Sequence, residues 1–589
     1  MSPTGVSSPT NALSVTRLSG SPARRSSSSP GISRSSGWPC CDSSGTTPVA
    51  MASAATAVGE GTIDASSTYS VGMVVWVSRP ACGLRIGFAM SASLTHHHSR
   101  GRGRSWARAT IRLVGPEVPS GVRRLLEALR DAGGRPYLVG GAVRDALLGR
   151  PHKDLDIEVF GLALPRLKEA LARVGRVDAV GEAFTVFKVS GLEGAGGAVD
   201  VSLPRRDSKA GPGHRGIAVT GDPDLSLEEA ARRRDFTINA VMFDPFAQTL
   251  VDPFGGQRDL EKRVLRAVDP VTFGEDPLRA LRAVQLAARF ELAVDPETAR
   301  RCASMPLAEL PAERVFGEIQ KLLLKARRPS RGLALLREWN LLPAVAPELI
   351  PLIGTPQDPD WHPEGDVWVH TLMAVDQAAA LIEDLDAPRA NAVMLGTLCH
   401  DLGKPATTRR LDGRLRSYAH EEAGLAPTNA LLDRWNVHRL HGYDVRAQVL
   451  GLVGNHLKPG QFYDDRDRVG DGAIRRLARK CEPALLYRVA RADCLGRTGD
   501  FPPVAMEWFL DRVRQLEVAE RPPDPLLRGR HVLELGLRPG PEVGRIVSAV
   551  YERQLDGAVR TLDEAREEAR RLVAQSEAGV ARPAGRDAR

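Results

Sequence analysis

Short apolar stretches with a two-residue period, confined to about residues 137–203, give way after Leu227 to a helical period that runs to about Leu516. Strand-like segments are Tyr137-Leu138-Val139, residues 154–160 and residues 198–203, while residues 121–132 and 142–148 carry helical spacing. The expected fold is therefore an α+β head, with a small mixed sheet and helices, followed by all-α neck and body and a further all-α domain. Pro351, Pro356, Pro359 and Pro363 mark a linker within the helical run, and a Pro-rich break lies at 521–525. The expected divisions are a disordered low-complexity tail (1–115), the head (116–262), a helical neck (263–355), a second helical domain (356–520) and a helical tail (521–589). There are no internal repeats.

The first 112 residues are rich in Ser, Gly, Pro and Arg and show no sustained period, so they offer too little apolar surface to offset ordering entropy. Eleven arginines against Asp42, Glu60 and Asp64 place the whole formal charge of +8 there, and the remaining chain is neutral. The basic balance is thus no argument for nucleic-acid binding by the body. A basic RNA-binding arm, a targeting segment, or translation that really begins downstream are alternative readings of this tail; His96-His97-His98 reads as incidental. Seven cysteines without a CxxC pair fit a reducing compartment. The longest apolar stretches, such as residues 72–77, are too short to span a bilayer, and no secretory pattern opens the chain. A cytoplasmic protein without a membrane partner is expected. Oligomeric state is not legible.

Asp154 and Asp156 stand two apart in a strand-like segment, so both carboxylates face one way while Leu155 and Ile157 face the core. Two convergent carboxylates suit a magnesium ion that holds a triphosphate. Gly140-Gly141 lies between a strand and a helix, where bare amides and a helix N-terminus fit phosphate oxygens, with Arg144 one turn on. Asp200, in Val-Asp-Val-Ser-Leu, is a third candidate carboxylate. A lone Asp-x-Asp or Gly-Gly is common on solvated edges; their order and spacing carry the signal.

Residues 138–150, Leu-Val-Gly-Gly-Ala-Val-Arg-Asp-Ala-Leu-Leu-Gly-Arg, followed by Asp154-x-Asp156, resemble the signature of class II tRNA nucleotidyltransferases and bacterial poly(A) polymerases. Those proteins belong to the polymerase-β-like nucleotidyltransferase superfamily. Arg233-Arg234-Asp235-Phe-Thr-Ile-Asn239 resembles the family's ribose- and base-contacting motif, and residues 252–260 its hinge. Glu275-Asp276-Pro-Leu-Arg279-Ala-Leu-Arg282 resembles the nucleotide-selecting helix, and residues 313–319 a neck helix. The resemblance implies CTP, ATP and tRNA as ligands, Mg2+ as the head's metal, and Arg234, Arg279 and Arg282 as nucleotide contacts. Asp276 and Arg279, three apart on an expected helix face, would pair with the base edge shared by cytosine and adenine. An ordinary surface ion pair is the alternative for such spacing. Residues 180–188 lack the Arg-Arg-Phe-type signature of the poly(A) branch, and residues 205–220 have the composition of a mobile loop. That loop implies full CCA addition or A addition alone, with a poly(A) polymerase as the further alternative.

In the second helical run, His370, His400-Asp401, His420, His456 and Asp493 occur in order on separate segments. Imidazoles and carboxylates from several helices suit a divalent transition metal that activates water. The set resembles the HD phosphohydrolase domain attached to some tRNA nucleotidyltransferases. This implies phosphatase, 2′-nucleotidase or 2′,3′-cyclic phosphodiesterase activity. His370, His400, Asp401 and Asp493 would bind metal, with His420 and His456 as second-metal or phosphate contacts. Residues 417–424 hold a single histidine where some relatives have several, which sets a degenerate domain or a mononuclear centre beside the dinuclear reading. A hydrolase with a non-catalytic, RNA-binding head is the alternative from another class.

Overall fold

The computed structural model describes residues 56–64, 67–78, 85–96, 115–152, 154–180, 186–209 and 217–580, and forms two units, residues 1–110 and 111–589. In the first unit, β1 (Thr56–Asp64), β2 (Ser67–Ser78) and β3 (Arg85–His96) form an antiparallel meander. Here the structure departs from the expected structureless tail. Runs such as Val71-Gly-Met-Val-Val-Trp-Val77 have the β-branched and aromatic content that strands favour, although no period marks them.

The second unit opens with α1 (Ser120–Asp131), β4 (Arg135–Val139), α2 (Gly141–Leu147), β5 (Asp156–Phe160), α3 (Leu164–Ala172) and β6 (Arg176–Val180). β7 (Val186–Ser190), β8 (Val199–Ser202), β9 (Arg205–Lys209), β10 (Ile217–Gly221) and α4 (Leu227–Arg232) follow, then β11 (Met242–Asp244), β12 (Thr249–Val251) and α5 (Gly256–Glu261). Seven strands make one mixed sheet in the order β12-β11-β4-β5-β8-β7-β6, with β5 and β8 parallel and the other neighbours antiparallel. Alternation in β5 divides its side chains: Leu155, Ile157 and Val159 enter a core with Leu125 and Leu129 of α1 and Leu167 and Leu171 of α3. Phe160 lies on the opposite face, with Ala230 and Ala231 of α4. Asp156 and Glu158 share that second face by register, and Asp154 lies just ahead of the strand.

Residues 227–349 were expected to be mostly helical, and β11 and β12 interrupt that pattern. Each has three residues, too few to show a period, and their tie is turn chemistry: Asp244 accepts hydrogen bonds from the amides of Phe246 and Ala247. The expected mobile loop is a hairpin of β9 and β10, whose tip, residues 210–216, lies outside the described residues, as does the 181–185 stretch.

The helices continue as α6 (Leu278–Phe290), α7 (Pro296–Ala303), α8 (Ala312–Lys325), α9 (Ser330–Glu338), α10 (Leu342–Val345), α11 (Val367–Ala379) and α12 (Ala387–Cys399). After them come α13 (Lys404–Thr407), α14 (His420–Ala423), α15 (Leu425–Arg434), α16 (Val445–Val453), α17 (Lys458–Asp464), α18 (Asp471–Leu477), α19 (Pro483–Leu495) and α20 (Val504–Gln515). Aspartates start several of them: Asp366, Asp386 and Asp444 accept the amides of Val369, Arg389 and Ala447. The proline-punctuated stretch near 351–363 does not separate two cores. One continuous apolar cluster runs from Phe236 to Val518, and Leu349 and Leu352 share it with Trp368 and Val375. Prolines stop helices, but they do not stop neighbouring apolar stripes from packing. The closing helices α21 (Gly529–Leu533), α22 (Pro541–Leu555) and α23 (Leu562–Val580) keep a small core of their own around Val532, Ile546 and Val550. Among the described residues, no helix is long and apolar enough to cross a membrane.

Candidate functional site

Register brings the head's carboxylates together. Asp156 opens β5 and stands opposite Asp200 of β8, and the parallel ladder reaches back one residue, Leu155 carbonyl accepting the Asp200 amide at 3.2 Å. Asp154 precedes the strand and is exposed. The Asp156 carboxyl is pushed up to about 6, chiefly by burial, with Asp200 and Asp154 adding repulsion while Arg234 and Lys188 oppose it. Three acids crowded in this way suit a divalent cation, which would offset both their mutual repulsion and the burial that raises Asp156. Lys188 Nζ lies 3.2 Å from Asp200 Oδ1.

The turn after β4 lies against this cluster. Gly140 has φ 71°, and a Cβ placed on it would sit 3.3 Å from Asp156 Oδ2 and 3.5 Å from Arg234 Nη1. Arg234 is held by a residue that sequence reasoning missed. Glu158, fully buried, accepts from Arg234 Nη2 at 3.0 Å and from Arg233 Nη2 at 2.5 Å. The period-two spacing of Asp154, Asp156 and Glu158 was the available signal. Replacing Glu158 with Gln leaves two guanidiniums competing for one neutral amide. The expected result is a loss of about 3 kcal/mol in head stability together with weaker CTP binding, read by denaturant unfolding and by nucleotide titration.

Arg144 is placed differently from the expected phosphate contact. It is buried, bonded through Nε and Nη2 to Asp145 at 2.9 and 2.7 Å and through Nη1 to Asn239 Oδ1 at 2.7 Å. Asn239 Nδ2 donates to Asp235, and Asp235 accepts from Arg282, whose Nη1 lies 3.8 Å from Glu318 on α8. Burial pushes the Asp235 carboxyl up, but Arg282 and the bonds from Asn239 and the Phe236 amide hold it below the usual range. Arg144, Asn239, Asp235 and Arg282 thus form a buried polar chain from α2 to the neck.

The expected Asp276–Arg279 helix face is corrected. Pro277 disfavours helical backbone at Asp276, which is extended (φ −115°, ψ 101°), and α6 begins only at Leu278. Asp276 accepts from the Leu278 amide and from Arg314 of α8 at 2.9 Å. Arg279 donates to the carbonyls of Thr272 at 3.1 Å and Arg233 at 2.9 Å, one residue from the Arg234 that faces the acids. It also lines a cavity of about 320 Å³ with Arg205, Arg206, Arg232 and Arg233, a basic lining that suits a polyphosphate.

The helical half forms a second centre. His370 of α11, His400 and Asp401 at the end of α12, His420 of α14, His456 after α16 and Asp493 of α19 are all buried. Three ring Nδ1 atoms meet backbone carbonyls at 2.7 Å: His400 at Thr397, His420 at Ser417 and His456 at Val453. A neutral ring donating from Nδ1 has a bare Nε2. His420 and His456 Nε2 lie 3.1 Å apart, close enough for one cation to meet both, and burial, with His400 and His420 beside it, pushes His456 down to about 3. His370 Nε2 lies 3.1 Å from Asp493 Oδ1 and 3.3 Å from His400 Nε2.

Asp401 stands between the pairs, with Oδ2 3.2 Å from His400 and Oδ1 3.4 Å from His420. Neither buried oxygen has a well-directed hydrogen bond, although Lys404 Nζ lies 2.8 Å from Oδ2 as an ion pair. Two ligand groups therefore share one carboxylate: His370, His400 and Asp401, and Asp401, His420 and His456. In 417–424 the single histidine, His420, stands with His456, from the turn after α16 and 36 residues on. Glu364 was also missed: it accepts from His370 Nδ1 at 2.8 Å, and two histidine bonds outweigh burial to hold it far below the usual range.

Comparison with known proteins reaches the head and the neck. Residues 136–266 match the Poly A polymerase head domain, and residues 291–353 match the family described as the probable RNA and SrmB-binding site of polymerase A. The multifunctional CCA protein of Xylella fastidiosa is 39% identical over 379 residues, 62% of this chain and 85% of that protein. The chain belongs to the multifunctional CCA protein family. The Stenotrophomonas maltophilia member is also 39% identical, over 384 residues covering 62% of this chain and 88% of its own length. The Bacillus stearothermophilus CCA-adding enzyme, solved in complex with CTP, shares the fold at 24% identity and a TM-score of 0.52, with 78% of this chain and 99% of that one covered. Within the multifunctional CCA family, the acid cluster and the Gly140 turn of this member fall inside the matched head domain, and the Asp276–Arg314 link joins the segment before α6 to the matched neck region.

Proposed function

We propose that the head adds the 3′-terminal CCA to tRNA from CTP and ATP without a nucleic-acid template, and that the helical half is a metal-dependent phosphohydrolase acting on RNA-type phosphate esters. The observation that supports addition is the meeting of Asp154, Asp156 and Asp200 beside Gly140 and Arg234. These acids would hold magnesium, which supplies charge neutralisation at the α-phosphate and a more acidic tRNA 3′-hydroxyl. Gly140 lets the backbone approach the triphosphate without a Cβ in the way, and Arg234, fixed by Glu158, neutralises its oxygens. Base selection falls to Arg279 and Asp276. Since Asp276 is engaged by Arg314, its carboxylate must turn from the neck helix to read a base, which ties selection to the neck. The tRNA is gripped through shape and backbone along the helices.

For the second centre, the close approach of the His420 and His456 Nε2 atoms and the Asp401 shared by two ligand groups support two divalent transition-metal ions. Their chemistry when bound is water activation and polarisation of a phosphoryl oxygen. Lys404 and Arg497 line the same cavity and offset substrate charge, while Glu364 and the three carbonyls keep each imidazole aimed inward.

The deciding experiment incubates purified protein and magnesium with tRNA lacking its last three nucleotides, or ending in CC, plus labelled CTP or ATP. Incorporation of both, stopping after one A, supports the proposal. Incorporation of ATP alone identifies an A-adding enzyme, long A tails a poly(A) polymerase, and no incorporation leaves a hydrolase with an RNA-binding head.

A further inference from the structure

The mouth of the histidine centre carries two large aromatic rings that the chemistry proposed above does not use. A cavity of about 340 Å³ reaches Asp401 and Asp493 at its floor, is lined by Lys404, Arg416 and Arg497, and has Trp361 and Tyr418 at its rim. Trp361 is 50% exposed and Tyr418 70% exposed, among the largest apolar side chains left in solvent in the described residues. Exposed rings over a cationic, metal-competent floor match the way proteins hold nucleotides: the base stacks while the phosphate is neutralised below.

The Trp361 ring is placed rather than loose, and the segment that carries Tyr418 is tied to it. Trp361 stacks on Phe501 with centroids 6.5 Å apart and planes 30° apart, and Phe501 in turn carries the Arg497 guanidinium 5.6 Å from its centroid. The Trp361 amide donates to the Asp358 carbonyl at 3.1 Å. Asp358 and Asp360 both bind Arg414, which belongs to the segment leading to Tyr418, so one arginine ties the two rims together. Three residues after Trp361, Glu364 holds His370 of the metal-competent group at 2.8 Å. The rim is therefore fixed relative to the floor through short covalent and hydrogen-bonded paths.

We propose that Trp361 and Tyr418 form a base-stacking platform, so that the centre selects a phosphate ester carried on a nucleoside, such as the terminal nucleotide of a single-stranded RNA end, over a simple alkyl phosphate. This rests on the phosphohydrolase reading, so the test has two independent arms. In the first, Trp361→Ala and Tyr418→Ala in the full chain, loaded in turn with zinc, manganese or nickel, are compared with the parent on adenosine 2′-monophosphate and on base-free glycerol 2-phosphate. Stacking of one base predicts a KM for the nucleotide raised roughly 5- to 100-fold, with kcat little moved and a loss on glycerol 2-phosphate at least several-fold smaller. Equal losses on both esters, or none on either, overturn the platform. In the second arm, direct binding of adenosine 2′-monophosphate to metal-loaded protein is titrated, and the same two substitutions weaken it. If no ester is hydrolysed by any preparation, the phosphohydrolase reading fails and binding alone decides. Weaker binding by both variants upholds the platform, and unchanged binding overturns it. Tyr418 lies on the surface, so its variant keeps the test decisive should Trp361→Ala misfold, and retained metal content reports intact folding.

Discussion

Asp156→Ala is expected to lower CTP and ATP incorporation into tRNA lacking its 3′ end by roughly a thousand-fold or more, since it removes a metal carboxylate whose effect is concentrated in the transition state. Of the three acids, Asp156 is the one that register sets opposite Asp200, beside Gly140 and Arg234. Its loss removes the ligand closest to both the phosphate turn and the guanidinium. Burial and its two acidic neighbours already lift its carboxyl to about 6, so in the absence of a cation it is costly to keep charged. The alanine variant is accordingly expected to fold as well as the parent, or better, in magnesium-free buffer. Incorporation at more than about a tenth of the parent rate would remove Asp156 from the reacting centre. Hydrolysis of a 2′,3′-cyclic phosphate by the same variant is expected to persist, because the histidine centre is built from α11, α12, α14, α16 and α19 and draws no ligand from the sheet.

Asp401→Ala is expected to do the reverse, abolishing phosphoester hydrolysis while nucleotide addition continues. Both candidate metal groups use this one carboxylate, whose oxygens face His400 on one side and His420 on the other. Removing it strips a ligand from both positions at once and leaves Lys404 as an unpaired charge in a buried setting. Metal content measured after dialysis is expected to fall from two equivalents to less than one, and hydrolysis by roughly a hundred-fold or more. A chelator is expected to reproduce the loss in the parent, with recovery on adding back zinc, manganese or nickel. Parent protein that retains no transition metal at all, or a variant that keeps both equivalents, would contradict a shared-carboxylate centre. Loss of both activities in either variant, with folding preserved, would show that the two sites are coupled.

Much of the candidate chemistry was legible in the sequence because it is local. The two-residue spacing of Asp154 and Asp156, the Gly140-Gly141 turn between strand and helix, and the ordered histidines and aspartates each stand in a short stretch whose geometry follows from one element. What failed to show was what depends on neighbours. Glu158 looked like one more polar residue of an alternating strand, yet its burial between Arg233 and Arg234 makes it the anchor of the guanidinium beside Gly140. Arg144 carried the charge expected of a phosphate contact, but Asp145 and Asn239 engage it. The helix expected to carry Asp276 starts two residues later because Pro277 forbids it. The three-residue strands β11 and β12 are too short to reveal a period.

The sequence by itself indicated a mixed head followed by mostly helical segments, since strand and helix periods are properties of consecutive side chains, but not the short hairpins at 409–416 and 439–444 in the expected all-α half. It also named most of the candidate site residues, because carboxylates and imidazoles are recognisable wherever they fall. Only the tertiary structure decided which of them meet: that Asp200 faces Asp156 across a parallel pair, that His456 completes a group with His420 and Asp401, and that neck and histidine domain share one core across the prolines. Those outcomes depend on side chains tens to hundreds of residues apart coming within a few ångströms. Their encounter is set by packing and hydrogen-bond register, which no local pattern records.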